Sequence, residues 1–206
     1  MEPAVRKPEV AGSLPTQAAA DPARHRSAWT TRQKIARVVW WFVQATLWRW
    51  SWHNFYGFRR WLLRCFGAEI ATTARIRPSV RIECPWNLSI GANSVVGDRA
   101  FLYALGPIRL GERVTVSQQS HLCAGTHDFD LPDFPLLTPP IEIGDDAWIA
   151  ADAFVGPGVT VGPGALLGAR GAAFKDLAGW TIYGGNPARE IRVRQRHDLR
   201  DAPTGA

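Results

Sequence analysis

Thr126-His127-Asp128, with Cys123 before it and Asp130 after it, is the stretch of this chain whose residue types could do chemistry. Imidazole titrates near neutral pH, so His127 can take a proton from a weakly acidic hydroxyl and return it later in the same reaction. Asp128 and Asp130 could orient that ring or contact a polar ligand. Cys123 raises a Cys-His nucleophile, but it occupies a small-residue place in the repeat around it, and packing accounts for it. His121 and His127 lie six residues apart, which invites a metal reading. The other histidines, His25, His53 and His197, fall outside the repeat, so a third ligand is lacking and no metal is expected.

What must position His127 is a period of six. Aliphatic residues lead successive hexads at Ile70, Ile76 and Ile82, then Ile90, Val96 and Leu102, then Leu110, Val116 and Leu122. After an interruption at 126–140, rich in proline and acid, they resume at Ile143, Ile149 and Val155, then Val161, Leu167 and Ala173. One inward aliphatic per hexad, a Gly or Ala after it at the corner and a small fifth residue predict a triangular coil of three hexads. Two-residue extensions at Leu88-Ser89, Ile108-Arg109 and Ile141-Glu142 adjust the corners. About five such coils, stacked by parallel strand pairing, bury an interior that one coil cannot. Nothing in residues 70–172 has the helical pattern a doubly wound fold needs for its crossovers.

The net charge of +6 belongs to the N-terminal third: residues 1–66 hold 11 Lys and Arg against 3 Asp and Glu, and seven of the ten tryptophans. No nucleic-acid motif accompanies these basic residues, so nucleic acid is not an expected partner. The start of the chain, residues 1–30, has no apolar secretory core and reads as a disordered tail. Three cysteines match no disulfide or zinc spacing and suit a reducing, cytoplasmic setting. Residues 31–67 form a Trp/Arg-rich helical region. Ile35, Val38, Val39, Trp41 and Phe42 lie on overlapping faces of a first helix. Phe58, Trp61, Leu62, Cys65 and Phe66 line one side of a second, with Arg59, Arg60 and Arg64 on the other and Gly67 as its stop. Neither reaches the roughly 20 apolar residues of a bilayer span. Residues 53–66 are expected to cap the open first coil, and residues 31–52 to touch the anionic inner face of a membrane.

The domain plan is thus a tail, the helical region, the repeat over 68–178 with its loop at 126–140, and a C-terminal extension over 179–206. Across roughly residues 50–194, the strings "CPWNLSIGANSVVG", "LGERVTVSQQSHLCAGTHDF", "PIEIGDDAWIAADAFVGPGVTVGPGALLGAR" and "GNPAREI" resemble the left-handed β-helix acyltransferases. They are most similar to the colanic acid and exopolysaccharide O-acetyltransferases of the galactoside, maltose and nodulation group. The left-handed coil, an exception to the usual crossover rule, is implied by that resemblance.

The resemblance further implies acetyl-CoA as donor, a sugar or polysaccharide-precursor hydroxyl as acceptor, and a homotrimer whose clefts lie between subunits. His127 matches the catalytic histidine carried on an extended loop. Asp128 and Tyr103 fall in the acceptor region, and a backbone N–H near Ala150 or Ala151 would bear the oxyanion. Trp148, Ala151, Ala169, Phe174, Lys175, Arg189 and Arg192 match the CoA-binding places, the cations suiting its phosphates. This chain departs from its relatives at Tyr103-Ala104, where an Asn is common, and at Trp148-Ile149-Ala150-Ala151, where galactoside-type enzymes read WIGS. A non-catalytic β-helix scaffold is the alternative reading.

Overall fold

Every aliphatic side chain that leads a hexad, from Ile70 to Ala173, is buried in the computed structural model, which describes residues 29–195. The expected tail and the end of the C-terminal extension lie outside the described residues. Three parallel sheets result. The first face stacks Glu69–Ile70, Leu88–Ile90, Ile108–Leu110, Ile141–Ile143 and Thr160–Val161. The second stacks Arg75–Ile76, Val95–Val96, Thr115–Val116, Trp148–Ile149, Leu166–Leu167 and Thr181–Gly184. The third stacks Arg81–Glu83, Phe101–Tyr103, His121–Cys123, Phe154–Val155 and Ala172–Ala173. Register is strict, Ile76 facing Val96 and Val96 facing Val116, because a slip of one residue would turn each inward aliphatic outward.

The corners differ from the sequence expectation in one respect. Left-handed backbone falls on the fourth hexad position, at Asn93, Arg99, Arg113, Gln119, Asp146, Asp152 and Arg170, and not on the second. The second-position glycine answers a different constraint: a Cβ on Gly91 would lie 2.4 Å from the Gly111 carbonyl oxygen of the next coil. It permits close stacking of coils. The ladder also continues past residue 178. Leu177 bridges Val161, Thr181–Gly184 extends the second face in parallel, and Arg189–Val193 folds back on it as an antiparallel edge.

The first coil needs donors for carbonyls that have no preceding coil, and this requirement orients the N-terminal helices, α1 (Thr31–Val43) and α2 (Tyr56–Cys65). Trp40 Nε1 donates to the Ile82 carbonyl at 2.7 Å, Trp48 Nε1 to Val80 at 3.1 Å, and Ile82 N–H donates to Gln44 Oε1 at 2.7 Å. Arg59 Nε reaches the Ile76 carbonyl at 2.7 Å, Arg60 that of Ala74, and Arg64 that of Ile70. Eight residues of α-helix would turn Trp48 about 80° away from Trp40; a π-turn over Gln44–Trp48 absorbs one residue and returns both indoles to one side.

Two expectations are corrected here. Capping is shared by both helices rather than confined to residues 53–66. The inward side of α2 is Arg59, Leu62 and Leu63, while Trp61 and Cys65 are exposed. Arg59 is fully buried with no carboxylate partner among the described residues, its guanidinium shared among Ile76 O, Ser51 Oγ, Trp52 O and His53 O, and burial lowers its pKa. Hydrogen-bond demand at the coil edge outweighs the apolar stripe on the helix.

Candidate active site

The interruption at 126–140 leaves the corner between the third and first faces after the third coil. It is a hairpin: Thr126–His127 pairs antiparallel with Leu136–Leu137. Gly106 makes room for its base, since a Cβ there would lie 2.3 Å from the Thr138 carbonyl oxygen. At the tip, Asp128 N–H donates to Pro135 O at 3.0 Å, Asp128 Oδ1 accepts from Asp130 N–H at 3.1 Å, and Phe134 adopts left-handed backbone at φ 45°.

That fold of the tip aims a carbonyl at His127. His127 is exposed, and its Nδ1 lies 2.6 Å from Phe134 O. A carbonyl only accepts, so Nδ1 carries the proton and Nε2 presents a lone pair. Phe134 was not foreseen as the orienting group, because a backbone carbonyl leaves no mark in residue type. The Asp128 carboxylate is instead engaged in the turn to Asp130. Cys123 donates its thiol to Gly125 O, and burial raises its pKa, which disfavours the thiolate a nucleophile needs.

Beneath the hairpin the third face carries an outward aromatic row, also unforeseen, although Phe101, His121 and Phe154 each stand just before the aliphatic that leads a third hexad, and Phe174 follows the last such leader, Ala173. Phe101 stacks on His121 at 4.8 Å, His121 meets Phe154 edge-on at 5.4 Å, Phe154 meets Phe174 at 5.6 Å, and Arg81 lies over Phe101. Half-buried Tyr103 joins at its side, its ring against Gly125 and its hydroxyl pKa raised by burial.

His121 Nε2 is buried with no hydrogen-bond partner among the described residues, and burial, then the charge of Arg81, lowers its pKa below the ordinary 6.5. The folded state therefore binds fewer protons than the unfolded chain. Its stabilising contribution is complete above pH 6.5 and is lost as pH falls through the lowered folded value. Melting temperatures from pH 7.5 downward are expected to fall more steeply for the native protein than for His121→Phe. Parallel curves would contradict this.

The residues matched to CoA binding fall into two groups. Trp148, held by Nε1 donating to Ser117 Oγ at 2.9 Å, starts an outward row on the second face: Trp148, Leu166, Ile182 and Arg192 in register. Three strand spacings separate its ends, about 14 Å. Ala151 and Ala169 stack at the corner between the second and third faces, with the hydrogen bond from Arg170 N–H to Ala151 O joining the coils, and the turn before Arg189 adjoins them through Ala188 N–H to Ala172 O. Phe174 and Lys175 sit instead at the hairpin's own corner, two coils further along. Among the described residues Lys175, Arg189 and Arg192 form no ion pair with a carboxylate. Of the two candidate oxyanion donors, Ala150 N–H is already given to Leu167 O, whereas among the described residues no bond engages that of Ala151. Within one chain, then, His127 and Trp148 stand on different sides of the prism.

Solved structures share this architecture. A galactoside acetyltransferase in complex with coenzyme A superposes with a TM-score of 0.75 at 21% identity, over 82% of this chain and 86% of that one. A hexapeptide-repeat acetyltransferase from Vibrio cholerae O1 biovar eltor, complexed with acetyl coenzyme A, gives 0.73 at 22% identity over 84% and 94%. The fold is that of the hexapeptide-repeat acetyltransferases, a left-handed parallel β-helix. No protein-family profile matches the chain. The "Putative colanic acid biosynthesis acetyltransferase WcaF" of Escherichia coli (strain K12) is 47% identical over 156 residues, 76% of this chain and 86% of that protein. At that identity and coverage, this chain belongs to the family of colanic acid biosynthesis acetyltransferases and is an acyltransferase.

Proposed function

We propose that this protein transfers an acetyl group from acetyl-CoA directly to a sugar hydroxyl of an exopolysaccharide or its precursor, with His127 as general base. The single observation that carries this reading is the bond from His127 Nδ1–H to Phe134 O, which leaves Nε2 as an outward proton acceptor on an exposed loop. His127 removes the hydroxyl proton as the new C–O bond forms. The Ala151 N–H stabilises charge developing on the acyl oxygen. As the C–S bond breaks, His127 returns its proton to the departing thiolate, and the Nδ1 hydrogen bond holds the imidazolium between the two steps. Asp128 in the hairpin's turn and Tyr103 beside Gly125 at its base are the residues we assign to acceptor contact.

The donor's phosphates suit Lys175, Arg189 and Arg192, which among the described residues form no ion pair, and Trp148 offers an apolar wall. The separation of His127 from Trp148 and Ala151 supports a homotrimer, in which the hairpin of one subunit faces the second side of its neighbour. Titration calorimetry with CoA tests the donor site: saturable binding is expected, and none would favour the scaffold reading. Thiol release from acetyl-CoA is expected only with a sugar acceptor present. Light scattering on the same sample should give a trimer mass; an active monomer would overturn the shared cleft.

A further inference from the structure

The capping helices turn their polar-bonding side inward and leave a large apolar surface outside. On α1, Trp40 and Gln44 face the first coil, so Ile35, Val38, Val39 and Phe42, the stripe at i, i+3, i+4 and i+7, point away from the protein. Val38 is 68% exposed and Phe42 69%. Trp41, Trp50 and Trp52 are 72%, 85% and 72% exposed, and an open apolar hollow of about 570 Å³ is lined by Trp50, Trp52, Phe55 and Phe58 with Ser51. Indoles and aliphatics exposed on this scale mark a contact surface.

Charge identifies the partner. Residues 29–66 contain no Asp or Glu, and Arg32, Lys34 and Arg49 are exposed among the apolar side chains. Amphipathic Trp and cationic flanks suit a lipid headgroup layer, where the indole sits at the boundary and Lys or Arg meets anionic lipid. No helix among the described residues is long and apolar enough to cross a membrane, so contact is peripheral.

We propose that the outer surface of this N-terminal cap docks on an anionic lipid bilayer. One set of helices then has two jobs on opposite sides, closing the β-helix inward and holding the enzyme to a membrane outward. A lipid-carried acceptor would meet the site at raised effective concentration there.

The test is flotation of the full chain with vesicles of phosphatidylcholine alone, or with a quarter phosphatidylglycerol, at low and high salt. The protein is expected to float with the anionic vesicles at low salt, and much less with neutral ones or at high salt. Two variants probe the surface, Trp41→Ser/Trp50→Ser/Trp52→Ser and Arg32→Gln/Lys34→Gln/Arg49→Gln. Both leave Trp40 and Trp48 in place. Each should weaken partitioning by more than about tenfold. Circular dichroism checks that they fold; should the tryptophan variant fail to, the charge variant and salt dependence decide. Failure of the native chain to float with anionic vesicles overturns the proposal, as does native-like flotation of a folded variant. Loss of self-association in the tryptophan variant, without vesicle binding by the native chain, would instead assign the surface to another copy. None of these readouts depends on catalysis, so they are independent of the acetyl-transfer reading.

Discussion

His127→Ala is expected to lower acetyl transfer to the sugar acceptor by about 10²–10⁴-fold, the range a positioned general base contributes. The loss should fall on kcat, with CoA binding by calorimetry unchanged, because the removed group acts on a proton and not on the donor. Asp128→Asn separates two accounts of how the ring is held. The imidazole is oriented by the Phe134 carbonyl, and Asp128 Oδ1 accepts from the Asp130 N–H, a bond that a side-chain amide oxygen can also accept. That variant should therefore retain most of the turnover, and a loss as large as that of His127→Ala would make the carboxylate the working partner. Equal thiol release by the native protein and His127→Ala under every acceptor would remove His127 from the mechanism.

Trp40→Ala is expected to destabilise the fold by about 3–5 kcal/mol, the range for truncating a large buried aromatic. The indole is 2% exposed, packs edge-on against Trp48 and Phe66, and supplies a donor to the Ile82 carbonyl at the open end of the first coil. Trp40→Phe keeps most of the packing and strands that carbonyl, at about 1–3 kcal/mol. The neighbouring Trp41 is the control: at 72% exposure its change to alanine should move stability by no more than about 0.5 kcal/mol. Denaturant midpoints compare all three. If Trp40→Ala and Trp41→Ala unfold together, the cap does not support the coil.

The six-residue period by itself determined the stacked coils, the inward aliphatics from Ile70 to Ala173 and the place where His127 leaves them. Each of those choices repeats along the chain, so residue type and spacing suffice to read it. The short coupling between sequence and structure ends where a residue answers to something distant. Arg59 turns inward and Trp61 outward because the coil edge exposes carbonyls at Ile70, Ala74 and Ile76, a demand invisible in the helix's own pattern. Likewise Ile35, Val38, Val39 and Phe42 lie outside because Trp40 and Gln44 of the same helical segment are turned to the first coil by their hydrogen bonds to Ile82. His127 was legible as a candidate, while its tautomer depends on a carbonyl seven residues away in a folded hairpin. Ala150 and Ala151 are the same residue in sequence, and only coil-to-coil pairing, which takes one N–H and spares the other, tells them apart. Periodic burial is a local rule; hydrogen bonds across coils and between caps are settled only when the whole chain is in place.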